Sequence, residues 1–343
     1  MNMSERSLMR LNRGVGLIEV MISIVIAMLL MLVIFQVYEI SESQKRTITG
    51  GSDAQQNAGY GLYVLGRDLA MAGNGIASVT PGLDSCALVR PIPVLIDAGA
   101  TAGTPDTITV LYGGSSSLST LVQFRQTATG AQPYVVPGPV GFSQNDVIVA
   151  VQGANCTMST VNAGGVAVNG VTGFSTLTHT PIAGNMGATY FAVNASLVNL
   201  GQAAAMGRIA YTVDPTTHAL RTQKQLPNND PIVPVISDVV NLKAQYGLDT
   251  NNDRIVDTWQ DATGVWSAAN LPIQPPSEWK KIRAVRIAIV TRSAQYEKDT
   301  VAPPTLSMLE GTVSMPLSAE EQHYRYKVLE TIVPLRNALW NVP

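Results

Sequence analysis

Apolar and polar positions divide the chain into three regimes. From Val15 to Phe35 the only polar residues are Glu19 and Ser23. About 20 apolar residues rising 1.5 Å each span a hydrocarbon core of ~30 Å, so this run predicts a membrane-crossing helix. After Tyr38 the pattern changes. Ala54, Ala58, Leu62, Leu65, Leu69 and Ala72 recur at steps of three and four, which is one face of an α-helix. Together the two stretches predict a single helix from about Val15 to Met71. Its first half is apolar all round, and its second half carries a stripe that packs on a domain. Gly73-Asn74-Gly75 supplies a left-handed stop. Gly50-Gly51 interrupts the second stretch and weakens a helix by about 2 kcal/mol relative to alanine. It marks either a tolerated weak spot or a bend, glycine pairs being a source of kinks.

From Ile76 onward the pattern is β. Thr107–Tyr112 and Asp146–Val151 are rich in β-branched residues. Arg208–Val213 and His218–Thr222 flank Asp214-Pro-Thr-Thr217, which reads as a hairpin turn. Ala284–Arg292 alternates in part, as a strand covered on one face does. Loops rich in Gly, Ser and Pro separate them, notably Gly113–Ser119 and Pro272–Ser277. There is no internal repeat and no low-complexity tail.

Composition narrows the class. The 343 residues allow one domain or two. Charged residues are 13% of the chain, about half of the ~25% usual in soluble domains, while 46% are hydrophobic, enough for a core. This mix suits a turn-rich β protein outside the cytoplasm. A net charge of −2 gives no basic field for nucleic acid. The two cysteines, Cys86 and Cys156, form no CxxC and lack the four N/S ligands of a zinc site. In a reducing compartment they are buried thiols; in an oxidising one they are the available disulfide pair.

The N-terminus decides the compartment. Arg6, Arg10 and Arg13 precede the apolar run and favour a cytoplasmic N-terminus, with the remainder outside. A conventional cleaved signal wants a shorter run and an A-x-A site, and Phe35-Gln-Val-Tyr-Glu39 offers none. A plain anchor leaves Glu19 unexplained, since a carboxylate at the bilayer centre costs about 2.5–3.5 kcal/mol. Arg13-Gly14-Val15-Gly16-Leu17-Ile18-Glu19 resembles the class III signal of type IV prepilins and type II secretion pseudopilins. The resemblance implies that prepilin peptidase cuts between Gly14 and Val15, that Val15 is then N-methylated, and that Glu19 directs subunit assembly by pairing with a neighbour's terminal ammonium. Val15 stands where the family usually has phenylalanine.

Further stretches resemble PilW-type minor pilins: Leu65–Gly75, Leu242–Asp249, Ile282–Ser293 and Tyr324–Asn337. The related J-type pseudopilins share the helix end and the late strand. The resemblance implies an α+β type IV pilin fold, one long transmembrane and amphipathic helix packed on an enlarged antiparallel β-sheet domain. The expected segments are a leader over 1–14, a membrane or filament-core half over 15–38, an amphipathic half over 39–73 and a periplasmic domain over 74–343. The implied role is priming of pilus assembly in a tip complex. Its partners there are other minor pilins, a tip-associated adhesin-like protein, the major pilin and the inner membrane, with no direct nucleic acid. The rival readings are a J-type pseudopilin and, in another class, a signal-anchored periplasmic enzyme or ligand-binding module.

One polar loop carries candidate chemistry. Asp249, Asn251, Asp253, Ile255 and Asp257 fall at positions one, three, five, seven and nine of a calcium-loop pattern. Alternating oxygen ligands with a backbone carbonyl at position seven suit Ca²⁺. Arg254 stands where glycine is expected, and Gln260 where a bidentate glutamate would fall. A polar turn between two strands explains the same residues. Enzyme signatures such as GxSxG, HExxH and a phosphate-binding loop are missing, and His179, His218 and His323 lack motif context. Trp259, Trp266, Trp279 and Trp340 read as packing residues or as a docking surface for neighbouring subunits.

Overall fold

The computed structural model describes residues 16–76, 90–114, 121–184 and 190–339, together with Leu83 and Cys86. The chain divides into two compact units, one up to Gly50 and one from Gly51 onward. The described part of the first unit is helical from Leu17 onward. Helix α1, Leu17–Met71, is a 55-residue element that remains helical through Gly50-Gly51. It is long and apolar enough to cross a membrane, with a mean hydropathy of 3.0 over its most apolar window.

The second unit is the end of α1 plus antiparallel sheets. A five-stranded sheet runs in the order Val94–Asp97, Thr107–Tyr112, Gly207–Asp214, Ala219–Leu226, Val233–Ile236. A four-stranded sheet runs Thr258–Asp261, Val239–Leu248, Ile282–Arg292, Tyr326–Pro334. The last part of α1 packs on both. Ala58, Leu65, Leu69 and Ala72 join one core with Ile96, Ile108 and Tyr211 of the first sheet and Tyr246, Val285 and Ile287 of the second. The apolar stripe read from the sequence is therefore the buried face. Its small members let the helix lie close: a Cβ on Gly61 would come within 2.7 Å of Ile289 Cδ1.

Polar clasps fix the register of this packing. Buried Asp68 accepts a 2.6 Å hydrogen bond from the Tyr211 hydroxyl, and burial followed by that contact pushes the Tyr211 phenol well above its usual range. Thr291 donates its hydroxyl to Ala54 O. At the helix end Gly73 and Gly75 take positive φ, and Asn337 donates its side-chain amide to the carbonyls of Ala70 and Ala72, satisfying groups a helix end leaves unpaired.

A six-stranded sheet forms a further layer in the order Leu121–Gln123, Ser196–Gln202, Asp146–Gln152, Asn155–Val168, Ser175–Gly184, Tyr134–Val136. One of its faces carries Val147, Val149, Met158 and Val198 and packs with Ile76, Leu83 and the cysteines. The other carries Ile148, Ala150 and Leu197 and packs with Phe124, Tyr134 and Phe191. Alternation along Asp146–Gln152 thus feeds two cores, so the strand is a continuous apolar run.

Two sequence expectations change. Ile282–Arg292 is covered on both faces, with only Arg292 escaping full burial. Its second face, Ala288 and Val290, lies under the hairpin Thr305–Met308/Val313–Pro316. Arg286 is accommodated there by Gln245, Glu310 and the Trp259 ring. Likewise Pro272–Ser277 is no plain loop. It overlaps the 3₁₀ turn Leu271–Ile273 and opens the helical turn Pro276–Trp279, each with proline at an early position, where its missing N–H costs nothing. The Asp214 turn forms as read, with Asp214 Oδ1 accepting the Thr216 N–H at 2.9 Å.

Candidate functional site

Gly14 and Val15 lie outside the described residues. Glu19 stands in the first turn of α1, where a carboxylate favours the helix dipole, and its side chain is exposed. Ser23 returns its hydroxyl to Glu19 O at 2.7 Å, so that group is satisfied within the helix. The large apolar side chains from Leu17 to Ile40 are all exposed. So continuous an apolar surface requires a partner or a lipid phase.

Cys86 and Cys156 form a disulfide with Cα atoms 5.6 Å apart and a sequence separation of 70. The bond lies in the core shared by Ile76, Leu83 and the Asp146–Gln152 and Asn155–Val168 strands. It ties the chain just beyond α1 to the six-stranded sheet.

The Asp249–Asp257 loop joins the strands Val239–Leu248 and Thr258–Asp261. Asp249 is fully buried, and its Oδ2 accepts from Arg283 Nε at 3.0 Å and from Arg254 N at 3.0 Å. Burial opposes ionisation, but the guanidinium and the backbone N–H groups hold its carboxyl below the usual carboxylate range. Asp249 Oδ1 is buried without a hydrogen bond. Asn251 Oδ1 accepts Asp253 N, and Asp253 Oδ1 accepts Ile255 N. Thr250 donates its N–H and hydroxyl to Asp257 Oδ2, which depresses the Asp257 carboxyl. Asn252 and Arg254 have φ of 64° and 74°, so Arg254 adopts the left-handed backbone that glycine serves in the calcium pattern.

The other candidates have structural partners. His179 stacks on Tyr134 at 3.9 Å and meets Gln132 O through Nε2, with burial lowering its pKa. His323 stacks on Tyr296 and bonds Glu297 O. Glu321 accepts the Ser318 N–H and hydroxyl. Trp279 is buried in the main core and Trp266 packs against it; Trp340 lies outside the described residues. Sequence reading missed the buried ion pairs Lys243–Asp106 and Arg283–Asp249. The signal was there: Lys243, Arg283 and Arg286 sit inside otherwise apolar strand runs, and a buried cation needs a partner.

The architecture is α+β, with a long apolar N-terminal helix and antiparallel β-sheets. Residues 209–337 match the family model of type IV pilus-assembly protein W. Among solved structures, a type IV-like pilin from Thermus thermophilus aligns at 13% identity with a TM-score of 0.26, covering 57% of this chain and 86% of that one. No curated protein matches the chain.

Proposed function

We propose that the chain is a minor pilin that primes type IV pilus assembly within a tip or initiation complex. The observation that carries this reading is the union of an exposed apolar N-terminal helix with a pilus-assembly match over 209–337. Prepilin peptidase cuts between Gly14 and Val15, freeing an α-amino group that is then methylated. Glu19, one turn into the apolar helix, pairs with the terminal ammonium of a neighbouring subunit. Either charge alone in apolar surroundings is costly, so the pair selects one register of assembly. Before assembly the helix crosses the inner membrane once, with the β domain in the periplasm, as the leader arginines favour. Other minor pilins, an adhesin-like tip protein and the major pilin then take up the helix and domain surfaces.

Deletion of the gene tests the role. Surface pili and twitching are expected to disappear while type II secretion continues, with recovery from the wild-type gene but not from Glu19→Ala. Lost secretion with normal pili would instead mark a J-type pseudopilin.

A further inference from the structure

Two arginines lack an anion beside the five-stranded sheet. Arg208 is the register partner of Leu111, and Leu95 of Thr109, and partners across a ladder share a face. Ile96, Ile108 and Tyr211 alternate with them and belong to the core under α1, so Arg208 stands on the opposite face. There Arg208 and Arg90 line one cleft of about 190 Å³. Ile92, Leu95, Leu111 and Pro272 give it apolar walls, and Ile273 adds an apolar side chain that is 70% exposed. Among the described residues no carboxylate lines it.

Both arginines are half-buried. The other buried and half-buried guanidiniums among the described residues are matched. Arg221, Arg283, Arg286 and Arg325 meet carboxylates, and Arg292 lies over the Tyr324 ring. Arg90 and Arg208 have no such partner among the described residues. Burial acts on Arg208 uncompensated and lowers its pKa. A guanidinium nevertheless stays charged, and its planar fork fits a carboxylate.

We propose that the Arg90–Arg208 cleft docks a different protein through one acidic side chain, Asp or Glu, flanked by an apolar residue that covers Ile273. The charge complement selects the acid. The cleft is smaller than the ~300–1,000 Å³ of small-molecule sites, so it takes a side chain rather than a free ligand. Its apolar walls and exposed Ile273 select hydrocarbon beside the charge. Gly73, just past α1, donates its N–H to Leu111 O at 2.8 Å. The cleft therefore lies where α1 stops, the end remote in sequence from the exposed apolar run Leu17–Ile40, which favours a protein over a lipid headgroup. A twofold contact with a second copy sets like patches together, guanidinium against guanidinium, so the partner is another chain. An arginine pair desolvated against a carboxylate at the centre of a contact is where binding energy concentrates.

The test places photoreactive benzoylphenylalanine at Ile273 of the full chain in its native membrane. The same group at Val171, which is 96% exposed, is the control. Irradiation is expected to give one protein adduct from Ile273 that Val171 does not give. The peptide attached to it should carry Asp or Glu beside an apolar residue. Combining Arg90→Gln with Arg208→Gln is expected to reduce this adduct about tenfold. The same double variant, purified in detergent, should melt no lower than wild type, because glutamine removes an unmatched, partly desolvated charge. A lipid adduct, an adduct with a second copy of this chain, no adduct, or an adduct that survives the double variant would overturn the proposal. So would a double variant that melts well below wild type, since the guanidiniums would then be held by their own chain. None of these results depends on whether the chain is a pilus subunit.

Discussion

Asp106→Ala is expected to destabilise the β domain by about 3–5 kcal/mol, the range for stranding one partner of a buried ion pair. The Asp106 carboxylate organises three donors. Oδ1 takes Lys243 Nζ at 2.7 Å and Gly99 N at 2.9 Å, and Oδ2 takes Ala244 N at 2.9 Å. Lys243 has 7% of its side chain exposed and one further acceptor, Thr101 O at 3.1 Å. Alanine leaves an ammonium and two N–H groups without their anion. Lys243→Met is expected to cost less, because the carboxylate retains both backbone donors. Urea midpoints should therefore fall in the order wild type, Lys243→Met, Asp106→Ala, with similar slopes if only stability changes. The reverse order would mean that the lysine's packing, not the carboxylate's donors, holds this corner.

Removing the disulfide with Cys86→Ser and Cys156→Ser is the second large effect. The 70-residue separation corresponds to about 4 kcal/mol in the chain-entropy account. For a domain of this size that lowers Tm by roughly 8–16 °C. The loss should appear equally in wild type under reductant and be absent when reductant is added to the variant. A double variant that melts like wild type would show that the segment beyond α1 is held without the bond.

The sequence made the long elements legible because their signals are local. The stripe Ala54–Ala72 and the stop at Gly73-Asn74-Gly75 depend on neighbours within a helical turn, and α1 ends at Met71 as expected. Thr107–Tyr112 was readable because β-branched residues are dense there. Ser175–Gly184 and Asn155–Val168 carry Gly, Ser, Thr and Asn, and only tertiary pairing makes them strands. The covered face of Ile282–Arg292 was hidden for a similar reason. The residues that bury Ala288 and Val290, among them Leu306 and Met315, arrive from a later hairpin. The acid–amide loop was visible as spacing, but the Arg283 partner of Asp249 lies 34 residues away and needed the fold.

The central claim is that this chain is made as a prepilin and cut once, before its apolar helix. Mass spectrometry of the mature protein from its native membrane tests it most directly. The account predicts an N-terminus at Val15, with the mass of one added methyl group if methylation follows. A mature chain that retains Met1 would contradict it.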